Sequence, residues 1–173
     1  MNREKKSTVI LGIDPGTQVT GYGVIHLTER GMEAVDFGCI RPKASLSLHD
    51  KYLLIFNGVS HLLDTFQPIA LAIETQFVKI NPSSALKLGM ARGSIIVAAR
   101  MRGIEVVEYA PTVAKKSITG TGRASKEQVQ GMTQKILKLD KLPTPEDAAD
   151  ALSIAICHAN RMHFKSTVVS HLL

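Results

Sequence analysis

Residues 10–25 read ILGIDPGTQVTGYGVI. An apolar run ends on one acid, Asp14, turns through Pro15-Gly16 and resumes as a second strand-like run. Asp-Pro-Gly is good turn chemistry: the acid opens the turn, proline presets φ, and glycine takes the positive φ of a type II turn. A turn former and a ligand-bearing strand end are therefore both open readings of Asp14. The choice between them decides the function.

Outward from this stretch, residues 8–14 (TVILGID) have the apolar density of a buried strand. Residues 19–28 and 32–42 follow as two more strands, joined by a tight turn at Glu29-Arg30-Gly31, so the first three form an antiparallel meander. Residues 46–65 carry helical periodicity in Leu48, Tyr52, Ile55, Val59, Leu62 and Leu63, closed by Gln67-Pro68. Residues 69–74 (IALAIE) make a short apolar strand ending on Glu74. A helix over 83–102, a strand over 105–110, a helix from Pro111, a Gly-Thr-Gly loop, a helix near 125–138 and a last helix opening at TPEDAAD complete the chain. The sum is an α/β fold: a mixed five-stranded sheet flanked by helices. The crossover helix lets strand four lie parallel to strand one. If those two are neighbours, Asp14 and Glu74 share the carboxyl edge, where open α/β sheets place their ligands.

The 173 residues, 45% hydrophobic, suit one domain over 1–173, with disorder expected at 1–7 and from about 162. No apolar run approaches the ~20 residues of a membrane span. The charged start, MNREKKST, leads into a strand without a signal-peptide core, so a soluble cytoplasmic protein is expected. Cys39 and Cys157 lack metal-ligand spacing and read as free thiols, and the six histidines form no ligand pattern. The net charge of +6 is uneven: from Lys79 to Lys126 nine basic residues outnumber two acids, leaving −1 for everything else. Such a basic half points to a polyanion, or else to a solvated face.

The acids carry the chemistry. Glu74 ends an apolar strand, which any polar residue could do. In the last helix Thr144 reads as N-cap, Pro145 as the first helical residue, and Asp147 as part of a capping box. Asp150 has no such excuse, since it lies beyond the cap beside the apolar stripe Ala148, Leu152, Ala155, Ile156 and Ala159. Two like charges a turn apart repel by roughly 1 kcal/mol in water and by more at lower dielectric. Four acids converging on one pocket need cations. Hard divalent ions take oxygen ligands. Two of them about 4 Å apart stabilise both the attacking water and the leaving oxygen of a phosphodiester. Asp14, on the middle strand, is the candidate bridge. No Ser-His-Asp, G-x-S-x-G or Walker A pattern competes.

The segments GIDPGT…TGYGVI, AIET, SALKLGMARG and DAADALSIAI, in this order from about residue 8 to 160, resemble the RuvC family of Holliday-junction resolvases. The resemblance implies a ribonuclease-H-like fold, a homodimer working with the RuvA–RuvB branch-migration complex, and Mg²⁺-dependent cutting of four-way DNA junctions. It implies two Mg²⁺ ions per site, for which Mn²⁺ substitutes, and paired nicks leaving 5′-phosphate and 3′-hydroxyl ends in recombination and DNA repair. The family's four catalytic acids, its metal ligands, fall on Asp14, Glu74, Asp147 and Asp150. Its basic contacts fall on Lys115 and Lys126, and its base-stacking aromatic wedge on Phe77. Gln18 departs from the pattern, standing where the family often has a basic residue.

Read from the residues, Phe77 and Lys79 belong to a loop after Glu74, and stacking of an aromatic on an unpaired base is worth ~1–3 kcal/mol. KKSITGTGRASK (115–126) offers Lys115, Lys116, Arg123 and Lys126, with backbone amides, to phosphates. Ala85, Gly89 and Gly93 recur at four-residue steps in the helix over 83–102, which calls for a closely packed partner helix in this chain or across a dimer axis. Two other classes stay open here. One is a related ribonuclease-H-like nuclease acting on structured RNA. The other is an actin-like or sugar-kinase ATPase, whose phosphate loop also reads D-x-G-T but which needs two related domains.

Overall fold

The computed structural model describes residues 8–75 and 81–170, with side chains in the last helix described through Met162. Strands β1 (Thr8–Asp14), β2 (Thr20–Thr28) and β3 (Gly31–Ile40) form the expected antiparallel meander. Helix α1 (Leu48–Phe66) crosses over to β4 (Ala70–Glu74), which pairs parallel with β1. Helix α2 (Pro82–Arg100) leads to β5 (Glu105–Tyr109), parallel to β4, giving the order β3-β2-β1-β4-β5. Helices α3 (Pro111–Thr119), α4 (Lys126–Leu137) and α5 (Glu146–Ser170) follow. This is the ribonuclease-H-like arrangement expected from the sequence, with β1 in the middle. No helix among the described residues is long and apolar enough to cross a membrane.

Strand alternation sorts the core onto two faces. Leu11, Ile13, Leu71 and Ile73, all fully buried, pack with Ile55, Val59 and Leu63 of α1 and Ala91 and Ile95 of α2. Burying each large side chain contributes roughly 1.5–3 kcal/mol, so this layer anchors the crossover. Ile10, Ile25 and Ala72 lie on the other face, against Leu152, Ala155 and Ile156 of α5. Helix α5 is enclosed between the sheet and α3 and α4. Over residues 148–159 every residue is buried except Asp150.

The enclosure depends on glycine. A Cβ on Gly12 would lie 2.8 Å from Ala155 N, and one on Gly23 would lie 2.7 Å from Leu152 N. The helix backbone thus rests directly on β1 and β2, the circumstance in which a strand needs glycine. The turn after Asp14 does not use the positive φ expected of Gly16; Thr20 closes it instead. Its hydroxyl donates to Gly16 O at 2.7 Å and accepts from Gly16 N–H at 3.3 Å.

Three local expectations change. The first amide bonds of α5, from Ala148 (3.0 Å) and Ala149 (3.2 Å), go to the carbonyl of Pro145, so Pro145 takes the N-cap place assigned to Thr144. The capping box lies on α4, where Ser125 Oγ accepts from Gln128 N–H and Gln128 Oε1 accepts from Ser125 N–H. Gly89 and Gly93 pack against nothing among the described residues, since a Cβ on either meets no atom within 4 Å. Residues 1–7 and 171–173, where disorder was expected, lie outside the described residues, while the backbone of α5 continues to Ser170.

Gly12→Ala is expected to lose about 1–3 kcal/mol through overpacking against α5. Gly131→Ala, inside α4 and with open space for its methyl, should lose none. Urea unfolding at constant m-value checks both.

Candidate active site

The strand register builds the site. Asp14 pairs with Gly21, Gly21 with Cys39, and Glu74 with Tyr109, while the Ile13–Ile73 pairing sets Asp14 beside Glu74. One row, Cys39-Gly21-Asp14-Glu74-Tyr109, therefore crosses all five strands on the face that α5 covers. Neighbouring strands stand ~4.8 Å apart, so the sheet itself forces two carboxyls together. They hydrogen-bond to each other.

A pocket of about 330 Å³ opens there. Its floor is Asp14 and Glu74; α5 supplies Asp150 and Ser153, α3 supplies Lys115, and α4 supplies Lys126 and Val129. Three of the four expected acids thus meet. Asp147 does not line the pocket: its backbone covers Gly21, and its charge reaches Asp14, Asp150 and Cys39. Close contact at Gly21 is possible only because that strand position lacks a side chain.

Burial and crowding leave their mark on protonation. Asp14 is pushed up to about 8, by burial first and then by the charges of Glu74 and Asp150. Glu74 is raised by burial, while its hydrogen bond to Asp14 and the charges of Lys115 and Lys126 pull it back. The bond raises one partner and lowers the other, as expected when the pair shares a proton. Asp150 is raised by burial, against the pull of Lys126.

Lys115 Nζ donates to Ala124 O at 3.1 Å, tying α3 to the segment before α4. Lys126 Nζ reaches Glu146 Oε2 at 3.1 Å, with both side chains mostly exposed. Lys116 and Arg123 are exposed and outside the pocket lining. Phe77 and Lys79 lie outside the described residues.

The basic half seen in the sequence does not form one surface. Arg92 pairs with Glu108, Arg102 holds Asp64 through two bonds of 2.6 and 2.8 Å, and Arg100 donates to Ile104 O at 3.1 Å. Arg100 and Arg102 precede β5 and so belong to the edge opposite the acids. Sequence proximity had merged two ends of the sheet.

The donor set fits a hard divalent cation: the titratable oxygens of the lining are all carboxylates, with no thiolate or imidazole among them. Among the described residues no three such side chains are already drawn together around one point. Ser153 and the cover from α3 and α4 were not foreseen. Nor was the glycine seat of α5, although glycines two apart in TGYGV signal close backbone approach.

A carboxylate pocket at the carboxyl edge of such a sheet, walled by lysines, defines a class: phosphodiester-cleaving nucleases of ribonuclease-H-like fold. The family model of the crossover junction endodeoxyribonuclease RuvC matches residues 10–158. The RuvC of Protochlamydia amoebophila is 57% identical over 151 residues, 87% of this chain and 90% of that protein. That of Pseudomonas putida strain W619 is 49% identical over 164 residues, 95% of this chain and 91% of that protein. A Thermus thermophilus RuvC structure in complex with Holliday junction substrate gives a TM-score of 0.86 at 33% identity, covering 91% of this chain and 96% of that one. The chain belongs to the RuvC family of crossover junction endodeoxyribonucleases. It is a nuclease, and the readings as an ATPase or an RNA-directed enzyme fall away.

Asp14 keeps its proton in the fold at pH values where the unfolded chain, near the ordinary 3.8, has lost it. Unfolding then releases a proton, so metal-free stability falls as pH rises from about 4 to about 8. Melting in EDTA at pH 5.5, 7 and 8.5 should show this decline. Asp14→Asn should flatten it and raise Tm at pH 8.5.

Proposed function

We propose that this chain resolves four-way DNA junctions by paired symmetric nicks in homologous recombination and DNA repair, leaving 5′-phosphate and 3′-hydroxyl ends. The pocket that gathers Asp14, Glu74 and Asp150 between two lysines carries the reading. Asp14, Glu74, Asp147 and Asp150 would hold two Mg²⁺ ions, for which Mn²⁺ substitutes. Once bound, the ions supply positive charge to the attacking water and the leaving oxygen.

The chain's own residues do the positioning. Lys115 and Lys126 face the acids and receive the phosphate oxygens. An exposed ion pair such as Lys126–Glu146 is worth only about 0–1 kcal/mol, so Lys126 exchanges Glu146 for a phosphate at little cost. Lys116 and Arg123, exposed just outside the pocket, bind DNA further along. Phe77 and Lys79 follow Glu74 directly in the chain, and we assign them to the junction centre, Phe77 stacking on a base.

We read the protein as a homodimer joined through α2. Its outer face exposes Leu86, Met90, Val97 and Met101, with Gly89 and Gly93 offering a close approach. A helix apolar on every side is normally buried on every side. A two-fold dimer matches the near two-fold symmetry of a junction. All described strands share one sheet, which supports a single nuclease domain over 1–173. A cytoplasmic location and work beside RuvA–RuvB rest on family membership alone.

Asp14→Asn should bind a synthetic four-way junction as the parent does and leave it uncut in Mg²⁺. Retained cutting would overturn the assignment. Leu86→Glu should convert the dimer to monomer in sedimentation, and an unchanged dimer would move the interface elsewhere.

A further inference from the structure

Every DNA contact assigned above comes from the residues that follow β4 in the chain or from α3, α4 and the segment between them. The opposite flank of the acid pocket, toward the β3 edge, carries a cation of its own. Strand β3 is parallel to β1, because each pairs antiparallel with β2. Its final residue, Ile40, therefore ends at the same edge as Asp14. Cys39 stands two strands from Asp14 in the row described above, ~10 Å away at ~4.8 Å per strand. Arg41 lies two residues further, just past the strand end, and is exposed.

The surroundings of Arg41 differ from those of the three arginines in and just after α2. Arg92 and Arg102 are matched with carboxylates, and Arg100 with a backbone carbonyl. Arg41 enters none of the ion pairs among the described residues. Two residues before it, Cys39 pairs with Gly21, the position that the Asp147 backbone covers, so Arg41 stands beside the start of α5. The result is an exposed cation at the same edge as the acids, beside the first turn of α5, with its five N–H donors open to a ligand.

We propose that Arg41 binds a backbone phosphate of the cleaved strand on the β3 flank of the pocket, opposite Lys115 and Lys126. The strand then crosses the sheet edge between two cationic walls, with the acids beneath the phosphodiester that lies midway. This rests on the junction-cleaving reading. The competing explanation is an arginine that only braces Cys39 and the start of α5.

The test measures the salt dependence of junction binding in the non-cutting Asp14→Asn protein. Each phosphate contact on duplex DNA adds about 0.9 to the slope of log K against log salt. Adding Arg41→Gln should reduce that slope by about 0.9, and Arg41→Lys should restore it. A brace would lower Tm and leave the slope as it was, and an unchanged slope overturns the proposal. Should Asp14→Asn bind the junction no better than plain duplex, the junction reading itself fails, and this inference with it. Normal junction preference with an unaltered slope defeats the inference alone.

Discussion

The structure depends on one contact: the backbone of α5 lying against Gly12, Gly21 and Gly23 of the two central antiparallel strands. A side chain at any of these positions would lift the helix by the thickness of a methyl group. With the helix seated, Ala148, Ala151, Ala155 and Ala159 are fully buried and α3 and α4 close over its other side. Asp150, the one residue of that stretch not buried, is thereby brought over the edge where β1 and β4 end. Stability and chemistry share one origin, because the packing that seals the core also crowds the acids.

That crowding is electrostatically expensive in the absence of a cation. Burial first, and then the charges of Glu74 and Asp150, hold the proton on Asp14 far above its ordinary range. The fold supplies part of the opposing charge from a separate layer. Lys126 is the first residue of α4, fixed there by the Ser125–Gln128 box, and Lys115 is fixed to Ala124 by its own ammonium. These lysines lower the cost for Glu74 and Asp150 without cancelling it, so both acids remain raised. A site left short of positive charge is suited to bind metal and phosphate together, since each relieves repulsion on the other.

Much of this was legible in the chain. Strand periodicity and the apolar run before Glu74 gave five strands, and the crossover through α1 set β4 parallel to β1, so the two sheet acids could be placed at one edge. Asp150 could be singled out because no cap explains it. What failed did so for physical reasons. Helix-start signals at Thr144-Pro145-Glu146-Asp147 are degenerate by one residue, and the Pro145 carbonyl took the role assigned to Thr144. The basic stretch mixed arginines from both ends of the sheet, because α2 carries the chain from one edge to the other. The glycines of TGYGV were read as strand residues, although their function is defined by a helix more than a hundred residues away. No local pattern reports such a contact.

The two helical layers divide the labour. Helices α1 and α2 cover the face of Leu11 and Ile13, while α5 and the acids occupy the other. On the proposed reading the dimer contact uses the exposed stripe of α2, so association leaves the pocket clear. Yet the two faces are not independent, since only seven residues separate the end of β4 at Glu74 from the start of α2 at Pro82. The short segment between them connects Glu74 to α2, and Phe77 belongs to it. At the segment's start, Thr75 N–H is fixed to Tyr109 O at 2.8 Å, which extends the β4–β5 ladder one step past the acid. A dimer built this way sets the spacing of its two pockets through elements already anchored in the sheet. The distance between the two nicks is then a property of the fold.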